Sequence, residues 1–382
     1  MRICGGSLVN KDACEGMITT GSLKCSHHDG VDAGLVCDAD IYGVERPAEY
    51  LREFLKGTST SNDVVQAVRK IHKEVVGGYA CAWECGKSLY IFRDPVGLKP
   101  LYYFGKAFSS ERGAFVSPNA LLPGELVQLP GKSLLCSRIK AIPTINPEPV
   151  LNALMKSVEH SVEKDAVILF SGGIDSSILA YLADAPLVVC GLEDSQDIIF
   201  ARKAAKLLYR ECNELILPEK DVEDIISEVI SLIDEKTLMN LEIGMLMYYI
   251  CRNQEATILI SGQGADELFG GYKKYEEAFH RGEDVKSIMG KDLDEISCGL
   301  ERDRRIAEQF NKRIRYPYCD LSVIEKALGI PDCLLFTPQR KEFLRRMARL
   351  LNLPKEIVSR PKKALQYGSG IHKILKKMDI HV

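Results

Sequence analysis

Residues 171–177, Ser-Gly-Gly-Ile-Asp-Ser-Ser, put three hydroxyls, two glycines and one carboxylate into seven positions. The apolar run before them, Val167 to Phe170, has the length and β-branching of a buried strand. The run after them, Ile178 to Leu182, is spaced like the inner face of a helix. A strand that feeds a helix through Gly-Gly leaves unpaired backbone N–H groups at the helix N-terminus, and with the helix dipole these make an anion site. Gly172 and Gly173 let the backbone come close to a phosphate. Ser171, Ser176 and Ser177 can donate to phosphate oxygens, and Asp175 can hold Mg²⁺ beside them. The lysine of GxxxxGK[ST] is missing, so this is not an NTPase P-loop. The plain alternative is an ordinary strand–turn–helix corner, against which six agreeing positions weigh.

A second turn has the same grammar. Ile258-Leu259-Ile260 runs into Ser261-Gly262-Gln263-Gly264-Ala265-Asp266-Glu267-Leu268-Phe269-Gly270-Gly271-Tyr272. Ser261, Gly262 and Gly264 repeat the hydroxyl and glycine content, and Asp266 supplies a second carboxylate. Asp175 and Asp266 together would suit a Mg²⁺ ion bridging pyrophosphate oxygens. The alternative is that Asp266 and Glu267 merely cap a helix.

The elements that must position these turns follow from the pattern around them. The chain has 382 residues, long for one core, so two domains are expected. Hydrophobic content of 46%, charged content of 27% and a net charge of −3 fit a globular protein and give no general case for nucleic acid or membrane binding. Residues 1–135 are glycine-rich and turn-rich, with short apolar runs, and read as a β-rich domain. One helix is expected there, near Asp63 to Val76, capped by Asn62 or Asp63. Residues 136–150 carry three prolines and no long apolar run, and read as a linker. From 151 to 382 helices and strands alternate, which implies a parallel sheet with helices on both faces. Strands are expected at 167–170, 187–190, 215–217 and 257–260. After 285 the chain reads as mostly helical. Thirteen scattered cysteines show no zinc-ligand spacing and no disulfide framework. They read as mostly buried thiols in a reducing cytoplasm, and the chain shows neither a signal segment nor a membrane span.

SGGIDSS followed about ninety residues later by SGQGADELFGGY resembles the synthetase domain of the glutamine-dependent asparagine synthetases and their β-lactam synthetase relatives. The N-terminal half shares the likeness. Arg93 to Tyr103 resembles the family's RDxxGxKPLYY segment, Gly78 to Ala82 its GxFAFA strand, and Leu129-Pro130-Gly131 its PG turn. Arg360-Pro361-Lys362 and Gly368-Ser369-Gly370 are similar to its RxK…G element. The resemblance implies an N-terminal Ntn-hydrolase-like β-sandwich, of the class II glutamine amidotransferase kind. It implies a C-terminal doubly wound sheet of the PP-loop ATP pyrophosphatase type. It also implies an ATP- and Mg²⁺-dependent reaction that adenylates a carboxylate, aspartate by default, for attack by ammonia or another amine. Lys362, Asp175 and Asp266 are then the catalytic set, and Gly191 joins the residues around the nucleotide. Small-molecule carboxylate and amine substrates are the implied partners, and a homodimer is allowed.

Three departures bear on what is joined to what. Cys4-Gly5 resembles the family's opening nucleophile, but residues precede it, and an internal cysteine lacks the free α-amine that serves as base. Asp38-Ala39-Asp40-Ile41-Tyr42-Gly43 stands where the family has NGEIYN, with a carboxylate where an oxyanion would form. His27-His28-Asp29-Gly30 is a faint echo of HRGPD. Glutaminase activity is therefore expected to be lost. Arg313 replaces the glutamate of ExRxPFLD, where it could bind an anion or simply lie at the surface. The leading reading is an amide ligase. The alternatives are an amine-specific or β-lactam-synthetase-like ligase, a nucleotide-binding partner protein without turnover, and a tRNA-modifying enzyme using the basic segment Arg340 to Lys377.

Overall fold

In the computed structural model, residues 3–5, 18–20, 23–25, 31–360 and 368–378 are described. The chain forms two compact units, Met1–Lys140 and Ala141–Val382.

Two six-stranded antiparallel sheets build the first unit. The central strands of one, Leu35–Ile41, Gly77–Cys85 and Ser88–Arg93, are buried on both faces. Their alternation shows why. Leu35, Cys37, Ala39, Tyr79, Cys81, Trp83 and Phe92 pack on helices Pro47–Leu55 and Ser61–Glu74. Val36, Ala80, Ala82 and Ile91 face the other way, in a core shared with Ile3 and Phe108 of the second sheet. A two-residue period thus supplies both cores from the same strands. The helix expected from Asp63 begins at Ser61. Its cap is Thr60, whose Oγ1 accepts from the Asp63 amide at 3.2 Å while Asp63 accepts from the Thr60 amide at 2.9 Å. Asp63 is the return arm of a capping box, not the cap. Helix Pro47–Leu55 was not expected from sequence. The apolar run at Ala114 leaves a short 3₁₀ turn, Arg112–Ala114, instead of entering a strand.

The second unit holds five parallel strands: β1 (Ala166–Leu169), β2 (Leu187–Gly191), β3 (Cys212–Ile216), β4 (Ile258–Ile260) and β5 (Arg313–Arg315). Their order across the sheet is β3-β2-β1-β4-β5. Val167, Val188, Cys190 and Leu259 pack into a core with helices α4 (Val222–Leu232) and α5 (Leu238–Asn253). Ile168, Leu187, Val189 and Ile260 point to the other face and are equally buried. Helices therefore cover both faces, as expected for a parallel sheet. Earlier in the chain lies α1 (Glu148–Ser161), and α2 (Ile174–Leu182) and α3 (Gln196–Leu207) follow β1 and β2.

Two edge strands depart from the sequence reading for one reason. β3 begins at Cys212, ahead of its apolar residues, because it pairs with β2 from Leu187↔Cys212 to Gly191↔Ile216. β5 was not expected, since Arg-Ile-Arg offers one apolar residue. Its backbone pairs with β4 from Ile258↔Arg313 to Ile260↔Arg315. Edge strands are held by the ladder on one side and need no continuous apolar run.

Strand order reverses at β1. The chain leaves β1 toward β2 and β3, then returns to the opposite side as β4. In open α/β sheets, ligands bind beyond the strand carboxyl ends at such a switch point. Both glycine-rich turns leave there, one from β1 and one from β4.

Candidate active site

The first turn is built by its glycines and hydroxyls acting locally. Gly172 has a φ of +66°, and a Cβ there would stand 2.6 Å from the Phe200 carbonyl oxygen, so both conformation and space demand glycine. Gly173 caps α2, and its carbonyl accepts from the Ser177 amide at 2.9 Å. Ser171 Oγ accepts from the Gly173 amide at 3.3 Å. Ser176 Oγ accepts from the Ser171 amide at 3.3 Å and donates to the Gly173 carbonyl at 3.2 Å. These bonds hold the loop open at the head of α2, where its first amides face outward. The Ser177 hydroxyl turns inward and is buried without a hydrogen-bond partner.

The second turn brings Asp266 to Asp175. Asp266 lies in α6 (Ala265–Phe269). A single ammonium joins the two carboxylates: Lys341 Nζ is 2.6 Å from both oxygens of Asp175 and 2.6 Å from Asp266 Oδ1. The Lys341 side chain is 1% exposed. It reaches the pair over Gly271, where any Cβ would collide with Asp266 and the Lys341 stem. Neighbouring Glu267 does different work: it accepts from Tyr272 Oη at 2.6 Å, and burial pushes its carboxyl above the ordinary range. Tyr318 Oη donates to the Asp175 carbonyl at 3.0 Å and anchors the carboxylate's backbone. Lys341 stands just ahead of α8 (Glu342–Leu350), which packs against α2.

Between the turns and the sheet lies a cavity of about 210 Å³. Ser171, Asp175, Ser176, Ser261, Gly262 and Asp266 line it together with apolar Val188, Leu246, Met247 and Ile250. Gln263, Asp197 and Asp303 also line it. Gly172, Gly173, Ser177, Gly191 and Gly264 do not; they shape the loops and strand ends around it.

The C-terminal element comes to the same place. Arg360 Nη1 donates to the Ser171 carbonyl at 2.7 Å, its Nη2 reaches Asp197 at 3.3 Å, and its guanidinium stacks 4.0 Å from the Phe200 ring centre. Leu192 donates to the Ser369 carbonyl at 2.9 Å, so the GSG segment lies along the end of β2 beside Gly191. Lys362 lies outside the described residues. Arg313 begins β5, at the end of the sheet opposite the turns, half-exposed and 4.0 Å from Glu163. It is the surface arginine of the two readings offered for it.

Sequence reasoning missed Lys341, Gln263 and Asp303 as site residues. Lys341 lies in a basic run, and Asp303 in an Arg-rich helix, α7 (Val285–Gln309). Nothing in either local pattern separates them from solvated surface charge.

In the first unit, the Arg93–Lys99 segment is a scaffold. Buried Asp94 accepts amides of Tyr79, Val96, Gly97, Leu98 and Lys99 at 2.6–3.3 Å, and Arg93 donates to the carbonyls of Gly97 and Leu121. Lys99 Nζ lies 2.9 Å from fully buried Asp38. The carboxylate expected to repel an oxyanion thus has an ammonium beside it. Cys4 sits in a ladder between Lys24 and Ser109, and the amide of Ile3 before it donates to Ser110 Oγ at 3.0 Å. Cys4 is disulfide-bonded. Among the described residues Cys37, Cys81, Cys190, Cys251 and Cys319 are buried and form no disulfide. No group of three or more His, Cys, Asp or Glu positioned for a metal occurs among the described residues, and no described helix is long and apolar enough to cross a membrane.

The family model for asparagine synthase matches residues 150–314 and 297–381. A Methanocaldococcus jannaschii protein that carries the name of a glutamine-hydrolysing asparagine synthetase is 30% identical over 428 residues, covering 90% of this chain and 79% of the relative. The glutamine-hydrolysing asparagine synthetase of Mus musculus is 29% identical over 255 residues, covering 60% of this chain and 45% of the relative, so the match spans less than half the mouse protein. Among solved structures, an NMN synthetase from Francisella tularensis aligns with a TM-score of 0.31 and 15% identity, over 61% of this chain and 84% of that one.

Proposed function

We propose, for a chain that belongs to the asparagine synthetase family, that its second unit forms amide bonds at the expense of ATP, releasing AMP and pyrophosphate. The observation that carries this reading is the convergence of Asp175 and Asp266 on one cation at the switch point, beside an anion-binding turn and a cavity. A substrate carboxylate oxygen attacks the α-phosphorus, and pyrophosphate leaves toward the amides at the head of α2. A neutral amine then attacks the acyl carbon and expels AMP. The apolar wall of Val188, Leu246, Met247 and Ile250 suits the adenine. Arg360, bonded to the Ser171 carbonyl, fixes the turn, and Lys362 two residues on is the cation assigned to the transferring phosphoryl group.

The carboxylate pair fits Mg²⁺, since its geometry already serves one shared cation. Asp175 and Asp266 would hold the ion, with phosphate oxygens completing its shell. When bound, the ion neutralises charge building on the leaving pyrophosphate. With the ion held there, the Lys341 ammonium would be available to the same phosphates.

The amine donor is free ammonia or another amine, because the first unit retains a glutaminase-like frame without its chemistry. The disulfide on Cys4 supports that reading. Aspartate is the default acceptor, by family alone.

The test is ATP–pyrophosphate exchange across a panel of carboxylates, followed by amide formation with ammonia and with glutamine. Exchange with at least one carboxylate is expected, and Asp175→Asn should reduce it about a thousandfold. Absence of exchange with every carboxylate would overturn the ligase reading. Amide formation from glutamine would overturn the loss of glutaminase.

A further inference from the structure

Two cysteines of the first unit face each other across neighbouring strands. Cys37 of Leu35–Ile41 stands directly opposite Cys81 of Gly77–Cys85. Both are fully buried, on the face that packs on helices Pro47–Leu55 and Ser61–Glu74. Their thiols are hydrogen-bonded to each other, and neither sulfur is in a disulfide. Among the described residues no other cysteine stands opposite either one in this ladder.

The ladder fixes how close they come. Antiparallel strands alternate between hydrogen-bonded and non-hydrogen-bonded pairs. The Glu84 amide donates to the Gly34 carbonyl at 2.8 Å, and the Tyr42 amide to the Val76 carbonyl at 3.1 Å. The register runs unbroken from Leu35↔Trp83 to Ile41↔Gly77. Alternation from either end therefore makes Cys37 and Cys81 a non-hydrogen-bonded pair. At such a pair the Cα atoms are roughly 4.5 Å apart and the side chains approach most closely. A disulfide spans Cα separations of about 4.4–6.8 Å, so the two sulfurs can join with little movement of either strand.

We propose that Cys37 and Cys81 are a redox pair, which a low-molecular-weight disulfide such as oxidised glutathione converts into a cross-strand disulfide that locks the helix-covered face of the first unit. One cysteine thiolate attacks a sulfur of the oxidant, whose S–S bond breaks and releases one glutathione thiolate. The second cysteine thiolate then attacks the protein sulfur of the mixed disulfide and expels the other glutathione. Two electrons pass to the oxidant, and the two cysteine protons end on two glutathione thiols. This chemistry belongs to the first unit and is independent of the ligase reading.

Burial decides when the bond forms. The thiolate is the attacking species, and burial pushes the Cys81 thiol well above its ordinary range. Exchange is therefore slow in the closed unit and fast when the two helices lift from the strands. The bond closes a loop from 37 to 81 that holds both helices, so it stabilises the closed unit around it. Cys4 of the same unit is already disulfide-bonded.

The experiment uses the full chain, reduced with dithiothreitol, freed of it, and exposed to oxidised glutathione with and without sub-denaturing urea. Remaining thiols are alkylated, and linked peptides are identified by mass spectrometry. A Cys37–Cys81 link is expected, forming at least tenfold faster in urea. The urea midpoint of Trp83 fluorescence should rise by about 1 M from the reduced to the oxidised chain. Cys37→Val and Cys81→Val should each lose most of that rise and keep only what the Cys4 disulfide contributes. Because the rise is measured within each protein, a variant of lower basal stability still decides the matter, and the linked peptide in wild type does so without any variant. Oxidation that yields no Cys37–Cys81 link, even in urea, would overturn the inference. So would a midpoint rise retained in full by both variants.

Discussion

Each unit holds a lysine against carboxylate, with different consequences. In the first, Lys99 lies 2.9 Å from Asp38, whose place on Leu35–Ile41 alternates with the helix-facing residues and shares the inter-sheet face with Val36. Among the described residues Val36, Ala80, Ala82 and Ile91 pack on that face. In the second, Lys341 lies 2.6 Å from Asp175 and Asp266, and both carboxylates also border a cavity. A buried ion pair repays its desolvation only when its geometry is good, and removing one partner leaves an uncompensated charge. The pair on the packed face of the first unit serves structure. The pair beside a cavity can exchange its cation for one that arrives with a ligand.

Removing each lysine tests that contrast. Lys341→Met should destabilise the second unit by about 3–5 kcal/mol. Millimolar MgCl₂ should recover much of the loss, read as amide exchange protection in α2. Lys99→Met should cost the first unit a similar or slightly smaller amount, with no recovery in MgCl₂. Trp83, the chain's single tryptophan, is buried in the first unit, so its fluorescence reports that unit's unfolding. Recovery by magnesium in both variants, or in neither, would break the comparison.

A smaller effect separates the units by pH. Burial lowers the His72 pKa to about 4 from 6.5. Its Nδ1 lies 2.9 Å from Ser137 Oγ and its Nε2 is buried with no partner. The unfolded chain binds a proton on this ring below pH 6.5 that the folded unit refuses until about pH 4. Stability is therefore full above pH 6.5 and falls as pH drops to 4, by at most about 3 kcal/mol. Trp83 fluorescence in urea at stepped pH should show this slope, and His72→Gln should flatten it. The smallest effect is expected from Cys4→Ala, which should leave pyrophosphate exchange within about twofold of wild type. A larger fall would show that the first unit's cysteine serves the second unit's chemistry.

The two phosphate-side turns were legible in the sequence because their needs are local. Gly172 adopts a left-handed backbone against the Phe200 carbonyl, and hydroxyls two to five residues apart bond within one loop. Alternation of helix and strand in the second half likewise announces a parallel sheet, since a buried strand must be apolar on both faces. The edge strand Arg313–Arg315 escaped notice because its place comes from backbone pairing with β4, and no side-chain period records that. For the same reason the substitution at Arg313 looked chemical in sequence and proves to lie away from the turns.

What the sequence by itself determined is the pair of glycine- and hydroxyl-rich turns and the family to which they belong. Tertiary structure alone decided what surrounds them. Lys341 is 166 positions from Asp175 and Asp303 is 40 from Gln263, and a surface lysine and a buried one have the same local sequence. Only the fold sets the desolvation that turns these ordinary charged residues into partners, because burial depends on which distant segments exclude water from them.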